Sequence, residues 1–131
     1  DLVRSRGLGD VYKRQIPQCG SEPMEQLLQW MVRHLDEEHA VNELAARVHM
    51  SPRTFARRFR AETGATPAAW LNSQRVLRAQ ELLETTELNI DEIARESGFG
   101  HSVLLRHHFT KALDTSPQSY RRTFRGHLAT A

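Results

Sequence analysis

The sequence predicts an all-α protein of two three-helix helix-turn-helix subdomains joined by a long linker helix. Three observations lead there. Apolar residues recur at helical spacing in segment after segment, and capping or breaking residues bound those segments. Two short helices, Val41–Val48 and Ser51–Thr63, are separated by about three residues, and the second is cationic on its outer face. The same pattern then returns: Glu43-Leu44-Ala45 as Glu92-Ile93-Ala94, Phe55 and Phe59 as Leu105 and Phe109, and Thr66-Pro67 with Trp70 as Ser116-Pro117 with Tyr120, at an offset of 49 and then 50.

Taken in order, residues 1–15 show no periodicity, and their DVYKRQ resembles the translation of a transposon end used in preparing sequencing libraries. They read as a non-native leader or assembly scar, with the natural chain continuing upstream. Residues 16–23, with Pro17, Gly20, Ser21 and Pro23, read as a linker. The domain proper is expected over residues 24–126, followed by a tail over 127–131. Its first helix-turn-helix unit covers 24–66. There Leu27, Leu28, Met31, Val32 and Leu35 form the inward stripe of a helix over Met24–Glu38. Val41–Val48 places Leu44, Ala45 and Val48 inward, and His49 and Met50 make the turn. Ser51-Pro52 is a helix start, because the serine caps exposed N–H groups and proline at the first helical position loses no bond. Gly64 is the stop.

Thr66-Pro67 starts the linker helix, residues 67–84, with Trp70, Leu71, Val76, Leu77, Leu82 and Leu83 as its buried side. At 1.5 Å per residue it spans roughly 26 Å, enough to hold two modules at a set spacing. The second unit covers 89–126. Asn89 caps its first helix with Glu92 reaching back, Gly98 ends that helix, residues 102–113 form the next, and Pro117–Phe124 seals the unit through Tyr120 and Phe124.

Composition narrows the function. A chain of 131 residues with a single cysteine, Cys19, forms no intrachain disulfide and fits a reducing compartment. No apolar run approaches the roughly 20 residues needed to span a bilayer, and the first residues lack the apolar core of a signal peptide, so a cytoplasmic protein without a membrane partner is expected. His101, His107 and His108 lack cysteine or carboxylate partners at zinc-ligand spacing, and no glycine-rich phosphate loop occurs, so no enzyme, metal or cofactor is expected. The net charge of +2 says little, but its distribution says more. Ser51–Arg60 holds four arginines and no acid. On a helix Phe55 and Phe59 point one way while Arg53, Arg57 and Arg60 cluster opposite. Such a face is commonly just a solvated surface; the tight turn before it and the repeat after it make it a DNA-reading helix instead.

With these residues in hand, Ala40 to Arg125 resembles the DNA-binding domain of AraC-type transcriptional regulators. The run IARESGFGHSVLLRHHFTKALDTSPQSYRR is similar to that family's signature at Ala94, Gly98-Phe99, Phe109, Ser116-Pro117, Tyr120 and Arg121. Asp114 stands where glycine is usual and Leu105 where an aromatic is common. Aspartate tolerates the left-handed conformation at modest cost. His49 holds the turn position that Gly98 fills in the second unit. The resemblance implies a bilobed helical domain whose recognition helices, 51–63 and 102–113, enter successive major-groove segments on one face of promoter or operator DNA. It also implies an upstream effector-sensing or dimerising domain, and contact with RNA polymerase if the protein is an activator.

Base reading is assigned to Arg53, Ala56, Arg57 and Arg60 in the first unit and to Ser102, Val103, Arg106 and His107 in the second, since guanidinium forks match guanine and Ala56 can meet a thymine methyl. Phosphate contacts are assigned to Ser51, Thr54, Arg58, Thr66, Lys111 and Ser116. The second face is far less cationic, so the first is expected to dominate sequence choice. The alternative is a helical protein-interaction module, which would lack a steep salt dependence on duplex DNA.

Overall fold

Local signals decide where each helix starts and stops. The computed structural model describes residues 22–130, so the leader over 1–15 and most of the linker over 16–23 lie outside the described residues. Seven helices are present among the described residues: α1 Glu22–Arg33, α2 Val41–Arg47, α3 Pro52–Thr63, α4 Pro67–Thr85, α5 Ile90–Ser97, α6 Ser102–Leu113 and α7 Pro117–Thr130. Ser51 Oγ accepts from the Thr54 N–H at 3.2 Å, and Thr66 Oγ1 accepts from the Ala69 N–H at 3.2 Å. At α5 the cap is reciprocal: Asn89 Oδ1 accepts from the Glu92 N–H at 2.8 Å and Glu92 Oε1 from the Asn89 N–H at 2.9 Å. Left-handed residues end α3, α5 and α6, namely Gly64, Gly98 and, at φ 59°, Asp114. His49 takes φ 59° in the turn between α2 and α3, the role expected of it.

Two apolar cores result. Met24, Met31, Leu44, Phe55, Phe59 and Leu71 are among the buried residues of the first, with Trp30 and Trp70 packed against it. Val76, Leu83, Ile93, Phe99, Leu105 and Phe109 are among those of the second, flanked by Tyr120. The long helix α4 belongs to both, contributing Leu71 to one and Val76, Ala79, Leu82 and Leu83 to the other. It packs against α1, α3, α5, α6 and α7. Because one rigid helix is a wall of both cores, neither unit can slide along it without losing buried apolar area.

The structure departs from the sequence-based expectations at several points. Helix α1 stops at Arg33 rather than running to Glu38, and Pro23 sits in its first turn rather than in the linker. The early stop follows from His34: its backbone N–H donates to Met31 O at 3.1 Å, tightening the turn, and its Nδ1 reaches Trp30 O at 2.7 Å. Leu35 is buried all the same. Val32 and Leu77, both expected inward, are 44% and 47% exposed. Each sits about 100° round its helix from an inward neighbour, Met31 or Val76, and both line the open groove between α1 and α4. Helix α7 continues to Thr130, so most of the expected tail is helical.

Beyond the shared helix α4, the two units meet at the Leu35 carbonyl. Arg75 of α4 donates from Nε to Leu35 O at 2.9 Å and from Nη2 to Glu37 O at 3.1 Å. Burial is the main influence holding the Arg75 guanidinium below its ordinary pKa, partly offset by Asp36. Gly98, at φ 102° between α5 and α6, lies against the same Leu35 carbonyl so closely that a methyl group added there would overlap it and come within 2.8 Å of Arg75 Nε. Gly64, at φ 82°, has open space instead. Gly64→Ala should therefore cost only the backbone term, roughly 1–2 kcal/mol. Gly98→Ala should cost about 2–6 kcal/mol, backbone strain plus overpacking. Urea unfolding of the two variants measures the difference.

Candidate nucleic-acid interface

Helices α3 and α6 present equivalent faces built on opposite chemistry. In each, a pair of residues four apart is fully buried: Phe55 and Phe59 in α3, Leu105 and Phe109 in α6. That anchoring turns Arg53, Arg57 and Arg60 outward on α3, all exposed, with Ala56 and Thr54 half-buried at the flanks. The side chains of those three arginines make no ion pair or hydrogen bond with any described residue. Arg58 only approaches Glu62, at 4.0 Å one turn on, a distance at which a surface pair contributes little. On α6 the outward positions are Val103, Arg106, His107 and Thr110, all exposed, with Lys111 beside them. Ser102 is half-buried, and its Oγ accepts from Arg106 Nη1 at 3.3 Å, so this expected pair of base readers is joined to itself in the free protein.

The hydroxyls assigned to phosphate serve first as helix caps. Ser51, Thr66 and Ser116 each accept a backbone N–H three residues on, at 3.2, 3.2 and 3.1 Å. Accepting uses an oxygen lone pair and leaves the O–H proton free to donate outward. The start of α6 differs: His101 precedes it without a side-chain cap, so its first N–H groups are not met by that residue.

Cations counted from the sequence divide sharply by location. Arg121 turns inward and donates to the carbonyls of Leu83 at 3.1 Å, Leu88 at 2.7 Å, Leu82 at 3.5 Å and Thr86 at 3.0 Å. Leu82 O already accepts from the Thr86 N–H and hydroxyl, and Thr86 O also accepts from Arg125, so Leu83 O and Leu88 O depend most on this guanidinium, which also complements the negative end of the helix. Arg125 pairs with Glu87 at 2.9 Å and bonds Thr86 O. Of the three arginines in YRRTFR, Arg122 is the exposed one, and it donates to Ser119 Oγ at 3.2 Å. Arg47 lies over the Trp30 ring at 3.7 Å. The sequence reading missed these roles; the cue for Arg121 was its place one turn after a capping Ser116-Pro117.

Two titratable groups brace the second unit. Tyr120 donates its hydroxyl proton to Glu84 and accepts from Gln80 Nε2 at 3.1 Å, tying α7 to α4. Its pKa is pushed up by burial first and by the Glu84 hydrogen bond second. His108 stacks on Phe99 at 5.3 Å. Burial pushes its imidazole below 6.5, and the neighbouring His107, Lys111 and Arg75 push it the same way.

Residues 44–123 match the family profile described as a helix-turn-helix domain. The chain belongs to the AraC-type helix-turn-helix family. Among curated relatives of this AraC-type chain, the HTH-type transcriptional activator RhaS of Klebsiella pneumoniae (strain 342) is 34% identical over 99 residues, covering 76% of this chain and 36% of RhaS. The HTH-type transcriptional regulator Rv1931c of Mycobacterium tuberculosis is 37% identical over 86 residues, covering 66% of this chain and 33% of its own. The chain thus spans about a third of the length of these relatives. Among solved structures, the DNA-binding domain of AdpA, a global transcriptional factor in complex with a target DNA, superposes with a TM-score of 0.80 at 46% identity, covering 85% of this chain and all of that one. The C-terminal domain of AraT, a response regulator from Geobacillus stearothermophilus, gives 0.73 at 31%, covering 79% and 86%.

Arg121→Ala should lower the unfolding free energy of this AraC-type domain by roughly 2–3 kcal/mol in urea titrations, because it strands carbonyls at the end of α4, whereas the exposed Arg122→Ala should change it by about 0.5 kcal/mol at most. A pH effect follows from His108. Its folded pKa lies below the unfolded value of 6.5, so the unfolded chain takes up the proton first. Its contribution to stability is whole above about 6.5 and is lost as pH falls from there through the lower folded value. His108→Gln should flatten the stability-against-pH curve on that acidic side, as urea midpoints measured across pH would register.

Proposed function

We propose that this chain is a sequence-specific, double-stranded-DNA-binding module of a transcriptional regulator, with α3 and α6 entering successive major-groove segments. The observation that carries this is the outward face of α3: three arginines without a described partner, held by two buried phenylalanines on the second helix of a helix-turn-helix. The likeness to AdpA, whose domain was solved on target DNA, supports the same reading. Helix α4, 19 residues long, spans about 28 Å, comparable with the ~34 Å of one DNA turn.

In this scheme Arg53, Arg57 and Arg60, with Ala56, read bases from the first unit, and Ser102, Val103, Arg106 and His107 read from the second. Ser51, Thr54, Arg58, Thr66, Lys111 and Ser116 hold phosphates. The first unit supplies most of the sequence choice because it presents three guanidinium forks, whereas the second presents one, Arg106, bonded to Ser102, beside an imidazole and an apolar group. The module works in the cytoplasm on promoter or operator DNA, has no catalytic role, and contacts RNA polymerase if it activates; an upstream domain supplies effector sensing or dimerisation. A protein-interaction module is less well supported, since the outward face around Arg53, Arg57 and Arg60 offers neither an acid nor an apolar patch to a protein partner.

Binding to a duplex selected from a random library should fall steeply with salt. Arg57→Ala should lose roughly 1–3 kcal/mol at one base position, read by competition among single-base variants. An equal loss on every variant would make Arg57 a phosphate contact, and a flat salt response would favour the protein-interaction alternative.

A further inference from the structure

Val103 and Leu104 stand side by side in the first turn of α6, 66% and 40% exposed. On α3 the equivalent positions hold Arg53 and Thr54, which can bond a base edge or a phosphate. Isolated apolar residues on a surface are ordinary. This pair is informative because of what frames it: exposed Arg106, His107 and Lys111 on the same helix, and no acidic residue anywhere in Ser102–Leu113. The apolar face of a protein partner would match Val103 but leave Arg106 and Lys111 without counter-charges. The major groove of a duplex supplies both, phosphates at its walls and pyrimidine C5 methyl groups on its floor.

We propose that Val103, with Leu104 beside it, reads the C5 methyl group of thymine or 5-methylcytosine in the groove segment entered by α6, so that methyl contact adds to the hydrogen bonds of Ser102, Arg106 and His107 in specifying this half of the site. The proposal rests on the DNA-binding reading above. Val103 carries no donor or acceptor. Against guanine O6 and N7 it strips water from acceptors and returns no bond. Against a methyl group it removes water from two apolar surfaces at once. The two half-sites are then chemically unlike: α3 selects by guanidinium hydrogen bonds, and α6 adds methyl contact to its polar readers.

The test uses the whole chain and a duplex recovered from random-library selection, with affinity read by fluorescence anisotropy at two salt concentrations. One probe carries thymine and its twin carries deoxyuridine, which differs by the C5 methyl alone. The thymine duplex should bind more tightly by about fourfold for each methyl in contact, the ~0.8 kcal/mol of a buried methylene converted at about 1.4 kcal/mol per tenfold. Val103→Ala should bring that ratio close to one, and Leu104→Ala should reduce it; both residues are on the surface, so circular dichroism melts should match the parent. A third probe carries cytosine or 5-methylcytosine at the sensitive position. A gain on methylation extends the contact to methylated cytosine, and a response to thymine alone confines it to A·T pairs; either supports the proposal. Equal affinity for the thymine and deoxyuridine duplexes, or a ratio that survives Val103→Ala, overturns it while leaving DNA binding intact. Absence of salt-dependent binding to both duplexes overturns the DNA-binding reading and the proposal with it.

Discussion

The carbonyl oxygen of Leu35 is the point on which the arrangement of the two units turns. Arg75 donates to it from the linker helix, and Gly98, in the turn of the second unit, packs against it with no room for a side chain. Helix α4 sets how far apart the units stand, because a helix has a fixed rise. A single helix does not fix how they are rotated about its axis. The Leu35–Arg75–Gly98 joint adds that constraint by linking the end of α1 to both α4 and the α5–α6 turn. In the proposed reading, placing α3 and α6 in successive groove segments needs both distance and rotation, since a small angular error at the joint becomes a misplacement at the far helix.

A second consequence of this architecture is a division of labour among arginines. Arg75, Arg121 and Arg125 bond backbone carbonyls at the ends of helices and in loops, where their fork geometry satisfies several acceptors at once. Arg53, Arg57 and Arg60 keep their donors outward. The inward group makes the frame rigid, and the outward group gives it a cationic surface. Charge counted along the sequence mixes the two, so the basic cluster near the C-terminus contributes less to the outer field than its composition suggests.

The two recognition helices also show how duplication permits divergence. Their buried pairs and the left-handed turn residue, His49 or Gly98, that leads in from a preceding short helix are alike, so both hold the same posture. Their outward faces share almost nothing, because side chains that point to solvent are not constrained by the core. The joint between the units fixes geometry and leaves the chemistry of each face free.

The sequence by itself determined the helices, their caps and the repeat. These are local matters: a serine or asparagine bonds an N–H three residues away, glycine and aspartate accept the left-handed turn, and Phe55 and Phe59 fall on one side of any helix that contains them. It also identified Arg53, Arg57 and Arg60 as outward, since the inward phenylalanines left them no other side. What it could not reach depends on partners more than thirty residues away. Arg75 bonds Leu35 and Glu37, Arg121 bonds the end of α4, and Tyr120 meets Glu84, all across separations of 33 to 40 residues. The same holds for Val32 and Leu77, whose periodicity pointed inward but whose neighbours in space leave a groove. Periodicity tells a residue's direction from its own helix axis; whether another element lies in that direction is decided only when the chain has folded.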